Sequence, residues 1–308
     1  MEKLKLKVIY NVPRMKMEVS NDLKKYLSKD NIYYDFVNIN EDPDFILCLD
    51  FKYWKKTFPL IIRTNKNILS NIIIFDRFKL NNITALRRLY LGTLSIKNTI
   101  EIPFIPGRAE KLINDYNVEF SKEFIYNKKG VIVICPNRNT QGWYMYNNST
   151  LSNNLQIEKV INIIKNNSNL DIEIRLHPLV HDNSVLYFIN KYNLKINKDN
   201  IDTLSTRAYC IIADRSSIGV KMVLKGNLVF NFQDGYEHSI IGKICITNPK
   251  YLNPENLEID KIPSLEDRYN YLQFIATQTY TDDEINNGYF LENIYKLLLD
   301  NKDLFIKN

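Results

Sequence analysis

Histidine, whose side chain can donate hydrogen bonds and transfer protons, is scarce in this chain. All three histidines lie in its second half: His177, His181 and His238. His177 directly follows the apolar segment 172–176, whose composition predicts a buried strand, and Pro178 restricts the backbone after it. Ligands of open α/β sheets bind at the carboxyl ends of the strands, so His177 is placed to donate a hydrogen bond to a phosphate or to transfer a proton. Arg175 adds positive charge at the same strand end. The alternative is that His177 only ends a strand, and His181 is expected to be a surface loop residue.

A second candidate motif occupies residues 214–219, where an apolar strand at 209–213 gives way to a helical pattern. The N-terminus of a helix presents unpaired N–H groups and a positive dipole end, which favour phosphate. Ser216 and Ser217 can add hydroxyl donors, and Lys221 can add positive charge. A serine that caps the helix without any ligand is the alternative. Together with His177, the motif predicts a site for a phosphate-bearing ligand in the second half.

Loops after two further predicted strands contribute the remaining ligand-binding candidates. After the strand at 131–134 come hydrogen-bonding side chains and two aromatic rings that can stack on a sugar: Asn137, Arg138, Gln141, Trp143 and Tyr144. After the strand at 228–232 come Glu237 and His238. Both loops are expected at the same edge of the sheet as His177. Ordinary polar loops are the alternative in each case.

The first half offers two carboxylates directly after apolar segments. Asp50 follows the predicted strand at 45–49, and Asp76 follows the one at 72–75. Group transfer to a hydroxyl needs a carboxylate as base or nucleophile, so both are candidate catalytic residues, with a structural cap as the alternative. The chain has no Walker A motif and no Gly-x-Gly-x-x-Gly, which argues against a P-loop kinase and a dinucleotide-dependent oxidoreductase. No Asp-x-Asp follows a predicted strand, so we expect neither a metal requirement nor a bound cofactor.

The elements that must position these residues alternate between short apolar strands and amphipathic helices. Strands are predicted in the first half at 8–10, 45–49, 60–62 and 72–75, with helices at 21–27 and 83–91. In the second half they are predicted at 131–134, 172–176, 209–213 and 228–232, with helices at 155–164, 185–192, 217–224 and 265–276. Thr281 and Glu284 form a capping-box pattern that opens a last helix through Leu299. This alternation is typical of doubly wound α/β domains.

A chain of 308 residues suits two such domains. We expect an N-terminal domain over 1–125, a C-terminal ligand-binding domain over 126–264, and terminal helices over 265–308 that pack back towards the first domain. The polar segment 120–129 is the predicted linker.

Composition places few limits on the partners. The net charge of +6 favours anionic ligands. The four cysteines form no Cys-x-x-Cys pair, which fits a reducing compartment, and the N-terminus lacks the apolar stretch of a signal peptide. We therefore expect a cytoplasmic protein without a transmembrane segment, with a peripheral contact at the inner membrane face left open, or a host-cytoplasmic one if its source is viral.

These motifs resemble those of the capsule polysaccharide biosynthesis proteins, which include Kdo transferases, and more distantly the CDP-glycerol glycerophosphotransferases. The resemblance covers roughly 130–290 and rests on four segments: Arg175-Leu176-His177-Pro178, Ser216-Ser217-Ile218-Gly219, 223–229 and 280–288. It implies a GT-B-like α/β fold of two doubly wound Rossmann-like domains with C-terminal helices. It also implies a nucleotide-sugar as co-substrate, with its phosphate held by His177, Ser216 and Ser217. Lys221 departs from the family, whose members often carry Glu there, so the donor is expected to differ.

The leading hypothesis is a glycosyltransferase that moves a sugar from a nucleotide-sugar to a glycan or glycolipid. One alternative is a viral enzyme that glycosylates a hydroxylated base in DNA, which the Lys and Arg residues of the first half favour. The other is a nucleotide- or glycan-binding protein without catalytic activity.

Overall fold

The computed structural model describes short backbone segments of the first half and most of the second half of the chain. These residues are 6–10, 32–33, 45–49, 72–78, 86–90, 104–136, 154–176, 183–213, 217–231, 244–277, 279–281, 284, 289, 292–293 and 296. The chain divides into two units, one of Met1–Ala109 with Phe274–Asn308 and one of Glu110–Gln273. The boundaries between the two units therefore lie between residues 109 and 110 and between residues 273 and 274. The sequence led us to expect domain boundaries between residues 125 and 126 and between residues 264 and 265.

The first unit contains a six-stranded mixed sheet. Its strands are β1 (Leu6–Tyr10), β2 (Ile32–Tyr33), β3 (Phe45–Leu49), β4 (Ile72–Phe78), β5 (Leu86–Tyr90) and β11 (Thr279–Thr281). They lie in the order β2-β1-β3-β4-β5-β11, with the first four parallel and β5 and β11 antiparallel to their neighbours. The strands predicted at 8–10, 45–49 and 72–75 are confirmed, and the strand at 60–62 and the helix at 21–27 lie outside the described residues.

The helix predicted at 83–91 is wrong, because Leu86–Tyr90 forms strand β5. The leucines at 86 and 89 and the tyrosine at 90 have helical spacing, but so short a run does not separate a helix from a strand. Tertiary pairing decides the outcome: Arg87 is in register with Arg77 on one side and with Tyr280 on the other. A strand between two partners satisfies its backbone groups on both edges.

The capping box predicted at Thr281 is confirmed. The backbone N–H of Glu284 donates to Oγ1 of Thr281 at 3.1 Å, and the N–H of Thr281 donates to Oε2 of Glu284 at 3.0 Å. Each side chain thereby satisfies a backbone donor that the first turn of a helix leaves unpaired. Residues 284, 289, 292–293 and 296 are in helical conformation beyond this cap.

The second unit contains a five-stranded, all-parallel sheet. Its strands are β6 (Val131–Cys135), β7 (Ile172–Ile174), β8 (Lys195–Ile196), β9 (Ala208–Ala213) and β10 (Val229–Phe230), in the order β10-β9-β6-β7-β8. The described helices of the chain are α1 (Arg108–Asn114), α2 (Asn154–Asn167), α3 (Asn183–Tyr192), α4 (Ile201–Arg207), α5 (Ser217–Leu224) and α6 (Leu265–Thr277). Four of them, α2 to α5, connect successive strands of this sheet, which is the doubly wound pattern predicted from the sequence.

The core of the second unit follows from the periodicity of its segments. On α2, the residues at helical spacing are the buried ones: Ile157, Val160, Ile161 and Ile164. All six residues of β9 are buried, as expected for a central strand covered on both faces. Within the described part of the chain, no helix has both the length and the apolar character needed to cross a membrane.

The glycine in the segment 223–229 is Gly226, which lies just after the end of α5. Its φ is +89°, and a Cβ there would lie 2.1 Å from the backbone oxygen of Glu123. The N–H groups of Gly226 and Asn227 donate to the carbonyls of Val223 and Met222, which is a Schellman motif. This glycine is therefore required by backbone geometry.

The segment 120–129, expected to be a linker, lies inside the second unit. The N–H of Ser121 donates to the carbonyl of Leu224, and Ile125 forms a parallel bridge to Asn227. The buried guanidinium of Arg268 donates to the carbonyl of Ser121 at 2.7 Å. Polar composition predicted a connection here, but these long-range hydrogen bonds attach the segment to the end of α5 and to α6.

Candidate functional site

The carboxyl edge of the second sheet is where most of the predicted ligand-binding residues originate. The chain moves from β6 outwards through β7 to β8, and then crosses to β9 and β10 on the other side of β6. The direction of winding thus reverses between β6 and β9. In open α/β sheets, the crevice for a ligand lies at this switch point, outside the carboxyl ends of the two strands.

Most of the nominated side chains of this edge lie outside the described residues: Asn137, Arg138, Gln141, His177, Pro178, Ser216, Glu237 and His238. Their places in the chain relative to the strands are nevertheless defined. The first three follow β6, and His177 and Pro178 come shortly after β7. Ser216 comes between β9 and α5, and Glu237 and His238 come after β10. The order β10-β9-β6-β7 places the carboxyl ends of the four strands that these residues follow side by side at one edge of the sheet.

Helix α5 begins at Ser217, four residues after the end of β9. Ser217 and Lys221 are both half-buried, and four residues place them on the same face of the helix. Gly219 is buried within the first turn, and the following turns contribute Val220, Val223 and Leu224 to the core. The N-terminal N–H groups of α5 therefore begin at the carboxyl edge of the sheet, next to the switch point.

Arg175 follows β7 and is held at the same edge. Its backbone N–H donates to the carbonyl of Ile134 at 2.8 Å, which continues the ladder between β6 and β7. Its Nη1 donates to Oδ1 of Asn197 at 2.9 Å and to the backbone oxygen of Asp199. The guanidinium of Arg175 is thus anchored to the residues that follow β8.

Sequence reasoning missed a polar network beside Arg175, formed by Glu173, Asn197, Asp199 and Arg207. Arg207 donates to both oxygens of Glu173 and, through Nε, to Oδ2 of Asp199 at 2.7 Å. Asn197 donates to Glu173 at 2.8 Å and to Asp199 at 3.0 Å. Glu173 is only 7% exposed and Asn197 only 5%, so these contacts replace water for nearly buried groups.

The network changes the acidity of its carboxyl groups. The hydrogen bond from Arg207 is the largest cause that lowers the pKa of Glu173, and it outweighs burial. Burial acts to raise the pKa of Asp199, but hydrogen bonds from Arg207 and Asn197, together with the charges of Arg207 and Arg175, outweigh it and lower that pKa. Both carboxyl groups therefore favour the charged form. One sequence signal pointed to the network: Glu173 is a lone charge inside an apolar strand, which requires a partner when buried.

Cys135 ends β6 at the switch point. Burial raises the pKa of its thiol to about 12, while the positive charge of Arg175 acts in the opposite direction. A thiol with this pKa is protonated at neutral pH, and the protonated form is a weak nucleophile.

The two carboxylates nominated in the first unit differ in position. Asp50 comes directly after β3 and lies outside the described residues. Asp76 was expected to follow its strand, but β4 continues to Phe78 and brings Asp76 into register with Arg88 of β5. The antiparallel partner extends β4 beyond the apolar residues that defined it in the sequence. In this sheet the winding reverses between β1 and β3, so β3, the strand that precedes Asp50 in the chain, borders the switch point.

Across the part of the chain that the structure describes, no group of three or more His, Cys, Asp or Glu side chains is arranged to hold a metal ion. The expectation of metal-independent activity stays a prediction.

No protein-family model and no curated protein sequence matches this chain. Among solved structures, it is similar to the beta Kdo 2,7 transferase of Thermosulfurimonas dismutans KpsC, with a TM-score of 0.51 over 94% of this chain and 99% of that chain, at 12% identity. It is also similar to the beta Kdo 2,4 transferase of the same organism's KpsC, with a TM-score of 0.50 over 88% of this chain and 91% of that chain, at 10% identity.

These similarities extend over nearly the whole of both chains and show the fold. The predicted class, an α/β protein of GT-B type, is confirmed. The resemblance to Kdo-transferase-like proteins found in the sequence is therefore matched at the level of structure.

Proposed function

We propose that this protein is a glycosyltransferase that moves a sugar from a nucleotide-sugar to a glycan or glycolipid. The observation that carries the proposal is the strand order β10-β9-β6-β7. Residues chosen from the sequence for phosphate and sugar binding follow these four adjacent strands, on both sides of the switch point. The shared fold with two Kdo transferases supports the same class of reaction.

The donor phosphate is proposed to bind at the N-terminus of α5. The unpaired N–H groups of the first turn and the helix dipole favour an anion there. Ser216 and Ser217 add hydroxyl donors, His177 donates from the neighbouring loop, and Lys221 and Arg175 offset the negative charge. The loop with Asn137, Arg138 and Gln141 is proposed to contact the sugar, and Glu237 and His238 to complete the donor site.

Asp50 is proposed as the carboxylate that assists the transfer, in preference to Asp76. A group that activates an acceptor hydroxyl must be presented at a strand end where a ligand can approach. Asp50 directly follows the last residue of β3 in the chain, whereas Asp76 lies within β4 in register with Arg88.

Calorimetric titration with CMP-, UDP-, GDP- and dTDP-sugars tests the donor site. We expect the wild type to bind one nucleotide class and His177→Ala to bind it at least about tenfold more weakly, since a hydrogen bond to a charged group is worth about 1.5–3 kcal/mol. His181→Ala is the matched control, because it removes the same side chain four residues away and is expected to bind like the wild type. Absence of nucleotide binding by the wild type, or equal binding by His177→Ala, would contradict the proposal.

The acceptor class requires a transfer assay with the donor identified above. Radiolabelled sugar is expected to appear on a glycan or glycolipid, and Asp50→Asn is expected to reduce turnover by about 100-fold or more, as for loss of a general base. Labelled DNA instead of labelled glycan would reassign the acceptor. Turnover of Asp50→Asn equal to that of the wild type would exclude Asp50 as the catalytic carboxylate.

A further inference from the structure

Arg175 and Asn197 occupy equivalent positions at the ends of two adjacent parallel strands. Ile174 of β7 is in register with Ile196 of β8, and each of the two residues follows immediately. The N–H of Asn197 donates to the carbonyl of Ile174 at 2.8 Å, so the ladder continues to this point. Both backbones are therefore fixed by the sheet, and the two side chains meet at its carboxyl edge.

The guanidinium of Arg175 uses only one of its nitrogens for this anchor. Nη1 makes both hydrogen bonds, to Oδ1 of Asn197 and to the backbone oxygen of Asp199. Nε and Nη2 make no hydrogen bond to the part of the chain that the structure describes. A guanidinium has five N–H donors, so the remaining ones are available for an anion.

The orientation of the Asn197 amide is determined by its surroundings. Its Nδ2 faces two carboxylates, at 2.8 Å from Glu173 and 3.0 Å from Asp199. A flipped amide would turn its oxygen towards both negative charges and its N–H groups towards Arg175, so only one orientation is favourable. Arg207 holds the two carboxylates in turn, which makes the amide oxygen a fixed acceptor for Arg175.

We propose that Asn197 is a positioning residue of the donor site, which holds Arg175 so that Nε and Nη2 face the phosphate of the nucleotide. This inference rests on the proposed function. Arg175 precedes His177 by two residues on the same connection, and its backbone N–H donates to the carbonyl of Ile134 in β6, the strand that borders the switch point. An arginine fixed in advance at one nitrogen loses less freedom when it binds phosphate with the others.

The test separates the binding of the phosphate from the binding of the nucleoside. Dissociation constants are measured by calorimetry for the nucleoside monophosphate of the preferred donor and for the same nucleoside without phosphate. The dissociation constant of the nucleoside divided by that of the monophosphate, called the phosphate ratio, gives the contribution of the phosphate to affinity. We expect Arg175→Ala to reduce this ratio about tenfold and Asn197→Ala about three- to tenfold, because charge-assisted hydrogen bonds depend on geometry. The double variant is expected to match Arg175→Ala, since Asn197 acts through Arg175.

Asn200→Ala is the matched control. Asn200 lies three residues after Asn197 and caps α4 by accepting from the N–H of Thr203 at 2.8 Å. Loss of the Asn200 side chain removes the cap of α4 but is expected to leave the phosphate ratio unchanged. Asn197→Ser is a second variant if Asn197→Ala does not fold, because a hydroxyl can still donate to Glu173 while it is too short to reach Arg175.

The outcomes distinguish the two proposals. If the wild type binds no nucleotide, the proposed function fails, and this inference fails with it. If the wild type and His177→Ala behave as proposed, but the Asn197 variants keep the wild-type phosphate ratio or add to the effect of Arg175→Ala, only the positioning role is overturned.

Discussion

Arg108 and Glu284 form a buried ion pair between positions 176 residues apart in the chain. Their side chains are 3% and 6% exposed. The guanidinium also donates to the backbone oxygen of Thr279 and lies 5.1 Å from the ring centre of Tyr280. Burial acts to lower the pKa of Arg108, but the hydrogen bond and charge of Glu284 outweigh it and raise that pKa. The pair ties the start of α1 to the cap of the C-terminal helix, within the first unit.

Replacement of Arg108 by methionine is expected to lower the free energy of unfolding by about 3–5 kcal/mol, because the carboxylate of Glu284 is left buried without a counter-charge. Urea denaturation followed by circular dichroism measures the change. Lys195→Met, which breaks the exposed pair with Asp171, is the control and is expected to change stability little. Equal stability of Arg108→Met and the wild type would contradict this account.

The capping box allows a more local test. Thr281→Ala removes the acceptor for the N–H of Glu284 and is expected to cost about 1 kcal/mol. Thr281→Ser keeps a hydroxyl oxygen at the same position and should retain most of the stability. A loss of the same size in both variants would show that the methyl group, and not the hydrogen bond, is responsible.

A comparison of Gly107 with Gly226 separates the backbone strain of a side chain at positive φ from the effect of a steric clash. At Gly107 φ is +76° and a Cβ would meet nothing within 4 Å, so Gly107→Ala is expected to lose only about 1–2 kcal/mol. At Gly226 the same strain is combined with a clash against the backbone of Glu123, which adds about 1–3 kcal/mol. Denaturation midpoints of the two variants measure the difference. A larger loss at Gly107 would contradict the geometry at the end of α5.

The network of Glu173 and Asp199 predicts sensitivity to acid. Because the pKa of each folded carboxyl group lies below its ordinary value of 4.5 or 3.8, their stabilisation is present above that value and is lost as the pH falls through the folded pKa. Glu173→Gln is expected to be less stable than the wild type at pH 7, and the difference is expected to shrink below about pH 4.5. Unfolding curves from pH 7 to pH 3 test this. A constant difference over that interval would show that the charge of Glu173 is not involved.

The buried thiols of Cys135 and Cys210 are expected to resist alkylation in the native protein. Burial raises the pKa of both, to about 12 for Cys135, so at pH 8 only about one thiol in 10,000 is ionised there. Mass spectrometry after brief treatment with iodoacetamide should find both unmodified until urea is added. Rapid native labelling of Cys135 would place it in an accessible crevice instead.

Local sequence patterns predicted the structure correctly where a pattern has only one structural solution. The residues Ile157, Val160, Ile161 and Ile164 fit one face of a helix, and all four are buried. The capping box at Thr281 and Glu284 forms as predicted, since it depends on residues three apart. The helix predicted at 83–91 is wrong because a partner strand on each side determines the structure of Leu86–Tyr90. Asn197 was not predicted, because nothing local distinguishes an asparagine that orients an arginine 22 residues away.

The sequence by itself determined the alternation of strands and helices in the second half, and it placed the candidate phosphate-binding residues at strand ends. Both are local properties, since periodicity and capping depend on neighbours within a few residues. Only the tertiary structure decided the order β10-β9-β6-β7-β8, the extension of β4 through Asp76, and the partners of Arg108 and Arg175. The physical reason is that strand pairing and buried charges are satisfied by groups distant in sequence, which no local pattern specifies.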